Sequence, residues 1–350
     1  MNLKKYTPVF LAIMAAILFG MSSPVSKILL TAIPPTLMAA LLYLGAGTGM
    51  ASISLFRRLK GRNSAEAGIT RKELPYVLAM IVLDIAAPIF LMVGLTMTSS
   101  ANASLLGNFE IVATSLIALF IFKESMGTRL WGALGLITLA SFILSIENIS
   151  SFSLSLGSVF VLLSCICWGF ENNCTRMLSI KDPIEVVVIK GFGSGFGSLL
   201  LALILKERAE RFSYILIALI LGFFAYGLSI YFYVMAQRDL GAARTSAYYA
   251  IAPFIGFGLS FAIFREKPAL SYIIALIIMI AGAYLASKEK HRHLHKHVAL
   301  THEHRHSHED EHHHHVHDNP VTGDHSHMHT HEELMHVHSH APDIHHIHKH

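Results

Sequence analysis

The residues able to do chemistry in this chain fall in two places. Asp84, Glu110, Glu171 and Lys190 stand inside long apolar stretches that otherwise hold almost no charge. A charge near the centre of a bilayer costs roughly a few kcal/mol, and it usually lines a cavity or pairs with a partner. The second place is the last sixty residues, 291–350, which hold all 24 histidines, interleaved with Glu, Asp and Ser. Neutral imidazole ligates divalent transition metals such as Zn, Ni or Co, and a flexible chain can offer several rings at once. The candidate ligands are His302, His304, His306, His308, His312, His313, His314, His315, His317, His325, His327 and His329.

Uncharged groups sharpen the first set. On one continuous helix, Glu110 would share a face with Ala103, Gly107 and Thr114, beside a polar stripe of Ser104, Asn108 and Ser115. Proline has no N–H and cannot donate to the carbonyl four residues earlier. Pro88 therefore frees the carbonyl of Asp84, Pro24 that of Gly20, and Pro253 that of Tyr249, the last beside Ser246. The candidate cavity residues are Lys27, Asp84, Asn108, Glu110, Glu171, Tyr226, Ser246 and Tyr249. The bland reading is that the charges form ion pairs between helices and the prolines bend helices to fit. Trp168, Tyr226, Tyr231 and Tyr233 suit either an organic solute's path or plain packing. The run KGFGSGFGS, Lys190–Ser198, stacks Gly191 over Gly195 and Gly193 over Gly197. It predicts a close helix contact, since it lacks the Gly-Lys-Ser/Thr ending of a phosphate loop. Cys165, Cys167 and Cys174 share one apolar stretch, which argues against a disulfide framework. No His, Asp or Ser cluster has catalytic spacing, so an enzyme is not expected. Neither a required cofactor nor a nucleic-acid partner is implied.

The elements that must position these residues follow from composition. Of the 350 residues, 53% are hydrophobic and only 14% charged, against about a quarter charged in an ordinary soluble domain. Crossing a ~30 Å hydrocarbon core takes roughly 20 apolar residues in a helix. Spans are expected near 7–30, 35–56, 75–97, 101–122, 128–146, 154–174, 183–205, 214–236, 243–264 and 269–287. The chain start resembles a signal peptide but shows no small-residue cleavage site, so it reads as a retained first helix. With the N-terminus in the cytoplasm, sixteen Lys and Arg fall inside and six outside, which the positive-inside rule favours. The cluster at 206–211, KERAER, is the exception. An even number of spans puts both termini in the cytoplasm of a multi-pass cell-membrane protein. Residues 1–290 carry 23 basic against 14 acidic residues and no histidine, whereas 291–350 carry 4 against 9. The tail, with almost no apolar periodicity, is expected to be disordered when free.

The two halves resemble each other. ANASLLGNFEIVATSLIALFIFKE, from Ala101 to Glu124, meets AARTSAYYAIAPFIGFGLSFAIFRE at a shift of 142, and LFGMSSPVSK, Leu18–Lys27, meets CWGFENNCTR at a shift of 149. Gly20 then meets Gly169, and the Lys123-Glu124 pair meets Arg265-Glu266. Five helices per copy is odd, so the second copy enters the membrane from the opposite side, an architecture of secondary transporters. Through these motifs, residues 8–287 resemble the EamA-type transporters of the drug/metabolite transporter superfamily. The resemblance implies an all-α membrane protein of ten helices in two inverted five-helix repeats, 7–146 and 154–287, moving small organic metabolites. Asn172 and Asn173 stand where the first copy has Ser23 and Pro24, and the tail at 291–350 lies outside the family pattern. Proton coupling through Glu110 is an expectation, and a homodimeric state is left open. The alternative is a transition-metal transporter whose tail collects the ion.

Overall fold

A computed structural model describes residues 7–60, 68–121, 127–148, 153–178, 181–240, 245, 248–265 and 269–287, together with the backbone of four short tail segments. Helices account for nearly all of the first group. In chain order they are α1 (Thr7–Gly20), α2 (Ser22–Leu29), α3 (Pro35–Leu59), α4 (Leu74–Met97), α5 (Ser100–Leu106), α6 (Phe109–Phe120) and α7 (Thr128–Ser145). After a two-strand contact, Ile146–Asn148 with Ser153–Leu154, come α8 (Leu156–Leu178), α9 (Pro183–Ile204), α10 (Phe212–Gly222), α11 (Ser229–Leu240), α12 (Ala252–Phe264) and α13 (Leu270–Ser287).

Among the described residues, seven segments are long and apolar enough to cross a membrane, where ten spans were expected. Ala252–Phe264 and Leu270–Leu285 are apolar but shorter, and part of the run preceding α12 lies outside the described residues. α8 has 23 residues but carries Glu171, Asn172, Asn173 and Arg176 in its second half. The outward surface is covered by large apolar side chains such as Phe10, Val82, Leu139, Leu203 and Ile277, each half exposed or more. An apolar surface this extensive is one that lipid, not water, would cover.

The helices interleave. α4 lies along α8, α3 along α9, and α7 along α13; α1 packs on both α11 and α12, and α6 on α8. α5 meets α12, α3 meets α10, and α4 meets α9. The glycine run makes the expected close contact: a Cβ on Gly47 of α3 would stand 3.0 Å from the Gly191 carbonyl carbon of α9. The KERAER cluster also has a use, since Glu207 accepts the Leu37 N–H at 2.7 Å, in the first turn of α3. A carboxylate there complements the positive end of the helix dipole.

Proline interrupts the helix in two of three places. The helix breaks at Met21, where Pro24 cannot bond Gly20, and α12 starts at Ala252 with Pro253 in its first turn. α4 instead continues through Pro88 without interruption. One lost hydrogen bond is tolerated there because α8 and α9 support the helix along its length. Two interruptions were not expected: the α5–α6 break at Gly107–Asn108, and a π-helical turn, Phe223–Leu228, between α10 and α11. In the tail, His291–Lys296 pairs antiparallel with Met335–His340, and Leu300–His306 with His325–His331. Where an unpaired chain was expected, the period-two alternation of the histidines meets the period of a strand.

Candidate functional site

Two polar centres lie inside the helix bundle. The first gathers around Lys190 of α9, whose ammonium is 3.1 Å from Asp84 Oδ2 of α4 and 2.9 Å from Glu171 Oε1 of α8. Tyr43 of α3 donates its hydroxyl to Asp84 Oδ1 at 2.8 Å, and Thr175 donates to Glu171. Asp84, Glu171, Lys190 and Tyr43 are all at least 95% buried. Three helices are tied together by charges that answer one another, and α3 joins them through the Tyr43 hydroxyl. Tyr226, in the π-helical turn, flanks this centre with its ring 5.3 Å from that of Tyr43, and its hydroxyl accepts from Ser22 at 3.0 Å.

The second centre is open. A cavity of about 80 Å³ lies where three helix interruptions converge: Gly20–Ser23 between α1 and α2, Gly107–Asn108 between α5 and α6, and Tyr249–Pro253 ahead of α12. At ~10–15 Å³ per water, that volume suits a few waters or one small solute. Leu91 of α4 and Trp168 of α8 help close it. Phe19 joins its aromatic wall to the first centre, with ring distances of 6.2 Å to Trp168 and 5.8 Å to both Tyr226 and Tyr249.

Glu110 lines this cavity from the first turn of α6. Its Oε1 accepts from Asn172 Nδ2 at 2.6 Å, and Asn172 also reaches Thr114 Oγ1 at 3.3 Å. Asn173 holds the same contact region from α8, donating to the carbonyls of Thr114 and Gly169 at 3.1 and 2.8 Å. Asn108 and Ser104 also line the cavity; both are buried, and Asn108 Oδ1 and Ser104 Oγ have no hydrogen-bond partner among the described residues. A buried polar atom without a partner is costly; both atoms are enclosed, on residues of the cavity wall.

The eight candidate cavity residues are thus divided. Asn108, Glu110 and Tyr249 line the cavity. Asp84 and Glu171 sit in the closed charge centre, and Tyr226 stands between the two. Lys27 is turned elsewhere: it donates to the carbonyls of Leu95 and of Thr98, the latter at 2.9 Å, at the C-terminal end of α4. Ser246 lies outside the described residues. The continuous-helix face assumed for Glu110 does not hold, because the break at Gly107–Asn108 intervenes, although Glu110 and Thr114 still meet the same Asn172. Phe19, Tyr43 and the bridging role of Asn172 carried no periodic or compositional signal. Among the metal candidates, His302, His304, His306, His325, His327 and His329 fall on the paired tail strands. His308, His312, His313, His314, His315 and His317 lie outside the described residues.

Comparison with known proteins places this geometry. The EamA-like transporter family model matches twice, over residues 7–146 and 155–288. A protein of Methanothermobacter thermautotrophicus, described as an uncharacterized transporter, is 26% identical over 291 residues, covering 78% of this chain and 84% of its own. The uncharacterized transporter YyaM of Bacillus subtilis is 24% identical over 210 residues, covering 56% and 67%. One solved crystal structure is similar in fold, with a TM-score of 0.58 at 20% identity, over 79% of this chain and 95% of that one. The chain belongs to the EamA-like transporter family and is a multi-pass membrane protein.

Proposed function

We propose that this member of the EamA-like transporter family carries a small organic solute across the cell membrane by alternating access, using ten spanning helices in two inverted five-helix repeats. The observation that carries this reading is the convergence of three helix interruptions on one cavity holding unpartnered polar atoms. Irregular backbone at membrane depth is tolerated where it lines a cavity, and inverted-repeat carriers build their solute sites from such broken helices.

Packing supports the repeat. Exchanging the two halves turns the α4–α8 contact into α11–α1, α6–α8 into α12–α1, and α3–α10 into α9–α4, while α3–α9 and α7–α13 map onto themselves. The correspondence reaches single residues. Gly20 abuts Ile255, and Gly169 abuts Ala113; shifts of 149 and 142 carry one contact onto the other. Arg265 is described, but Lys123, Glu124 and Glu266 lie outside the described residues. Loop charge favours cytoplasmic termini, and Glu110 is the carboxylate placed to pair with solute or carry a proton.

The tail is proposed to bind divalent transition metals without taking part in the pathway. Its strand register sets His302 opposite His329, His304 opposite His327, and His306 opposite His325. The alternative, a metal transporter fed by the tail, draws on the tail alone. Among the described residues no group of three His, Cys, Asp or Glu is arranged to hold a metal ion.

Alternating access is tested by labelling. With Cys165, Cys167 and Cys174 replaced by Ala, a thiol introduced by Ser104→Cys should react with an impermeant reagent in both right-side-out and inside-out vesicles. Reaction from one face only would sink alternating access at this cavity.

A further inference from the structure

Among the described residues the wall of the cavity carries one carboxylate and no cation, which points to a ligand chemistry. Among the described residues the acceptors are the Glu110 carboxylate, whose Oε1 takes a hydrogen bond from Asn172, and the unpartnered Oδ1 of Asn108, enclosed on the same wall. The assignment of that Asn108 oxygen is fixed by its Nδ2, which donates to the Leu105 carbonyl at 3.2 Å. The Gly20 carbonyl adds another acceptor, because Pro24 removes its helical donor. Ser104 Oγ can serve either way.

At two of the three breaks, backbone donors that the helix starts would otherwise offer are already used. At the start of α12, Pro253 has no N–H, and the amides of Phe254 and Ile255 both donate to Ile251 at 3.1 Å. At the start of α6, the amides of Glu110 and Ile111 donate to Gly107 and Asn108, also at 3.1 Å. These helix starts therefore lack the free amides that make other helix N-termini anion sites. Among the described residues no Lys or Arg lines the cavity. The Lys190 ammonium in the first centre is shared by two other carboxylates, so among the described residues Glu110 has no paired cation. Phe19, Trp168 and Tyr249 present ring faces and edges to the same space, and such rings attract a desolvated cation.

We propose that the cavity binds a primary amine carried on a small apolar or aromatic body. The ammonium, with three donors and no acceptor, would bond Glu110 and the free oxygen of Asn108, and the body would lie against the aromatic wall. A carboxylate-bearing solute would meet Glu110 with like charge and few donors. The inference rests on the cavity being the solute site, so its test separates the two claims.

The two tryptophans make the measurement direct. Trp168 lines the cavity, whereas Trp131 is 49% exposed on the apolar surface of α7. In full-length Trp131→Phe protein, 2-phenylethylamine should saturably change Trp168 fluorescence. 2-Phenylethanol should bind roughly tenfold more weakly, the expected loss of a charge-assisted hydrogen bond, and 3-phenylpropionate more weakly still. Glu110→Gln should erase the preference of amine over alcohol while leaving alcohol binding in place. The wild-type series decides the matter even where that variant does not fold. If the alcohol or the acid binds as tightly as the amine, the amine assignment is overturned and the cavity stands. If none of the three perturbs Trp168 at saturating concentration, the cavity is not a site for solutes of this size and both readings fall.

Discussion

At Lys190 two carboxylates and a phenol close on one ammonium, whereas at Glu110 a single carboxylate has an asparagine for company and faces open space. Both centres use carboxylates on α-helices, and both lie among apolar side chains. They differ in what completes them. The first is satisfied by side chains from α3, α4, α8 and α9, so its groups are committed to one another and to holding those helices in register. The second is lined by residues at helix breaks, where backbone and side chain cannot satisfy each other, and it leaves acceptors for something else to fill. Burial of polar groups does not by itself identify a binding site; unfilled hydrogen-bonding capacity beside a void does.

Removing Lys190 is the strongest way to break this comparison. Lys190→Met leaves Asp84 and Glu171 buried without their counter-charge, and breaking such a pair costs about 3–5 kcal/mol. A large fall in melting temperature and in folded yield is expected, with partial recovery when Asp84→Asn and Glu171→Gln are added. If Lys190→Met melts like the wild type, the centre is not structural, and its charges are free to serve transport. Gly191→Ala tests the same interface through backbone approach, since the new methyl would meet the backbone of Gly47. Overpacking of this kind costs about 1–3 kcal/mol, measured as a smaller shift in the same melt. Glu110→Gln keeps the shape and the Asn172 contact, so its effect on stability should be about 1 kcal/mol or less, while solute transport in proteoliposomes should collapse. Intact transport in that variant would remove Glu110 from the mechanism. Lys27→Met loses cationic capping at the end of α4, worth about 0.3–1 kcal/mol, and should leave transport rates near the wild type.

The uneven visibility of these parts in the sequence has physical causes. Runs of about twenty apolar residues announce helices on their own, so most helix limits fall within a few residues of those expected. Gly191 and Gly195 announce close packing because only a missing Cβ permits it. Pro24 and Pro253 mark breaks because the missing N–H acts locally. Pro88 shows the limit of that rule, since packing along α4 overrides it. The break at Gly107–Asn108 was invisible because one glycine and one asparagine are compatible with an unbroken apolar helix. The choice of Lys190 for both Asp84 and Glu171, across separations of 106 and 19 residues, depends on how α4, α8 and α9 meet, which no local pattern encodes. Tyr43 escaped for the same reason: a tyrosine in an apolar helix shows its hydroxyl's purpose only when its partner is in place.

The smallest effect on the helix bundle should come from the largest deletion. The family match ends at residue 288, and the tail strands pair with one another, so a chain ending at Lys290 should melt within error of the full protein. Metal binding should change completely. With 24 histidines in the tail, the full chain should take up several Zn or Ni ions per molecule, and the shortened chain none. Ligation needs neutral imidazole, whose reference pKa is ~6.5, so protons compete as pH falls. Affinity should be full above about pH 7 and fall steeply towards pH 5. Isothermal titration of both chains with Zn at several pH values measures each part of this. Organic-solute transport should survive the deletion. A shortened chain that loses solute transport, or a full chain that moves Zn across the bilayer, would tie the tail to the pathway and end the division between a carrier domain and a metal-binding appendage.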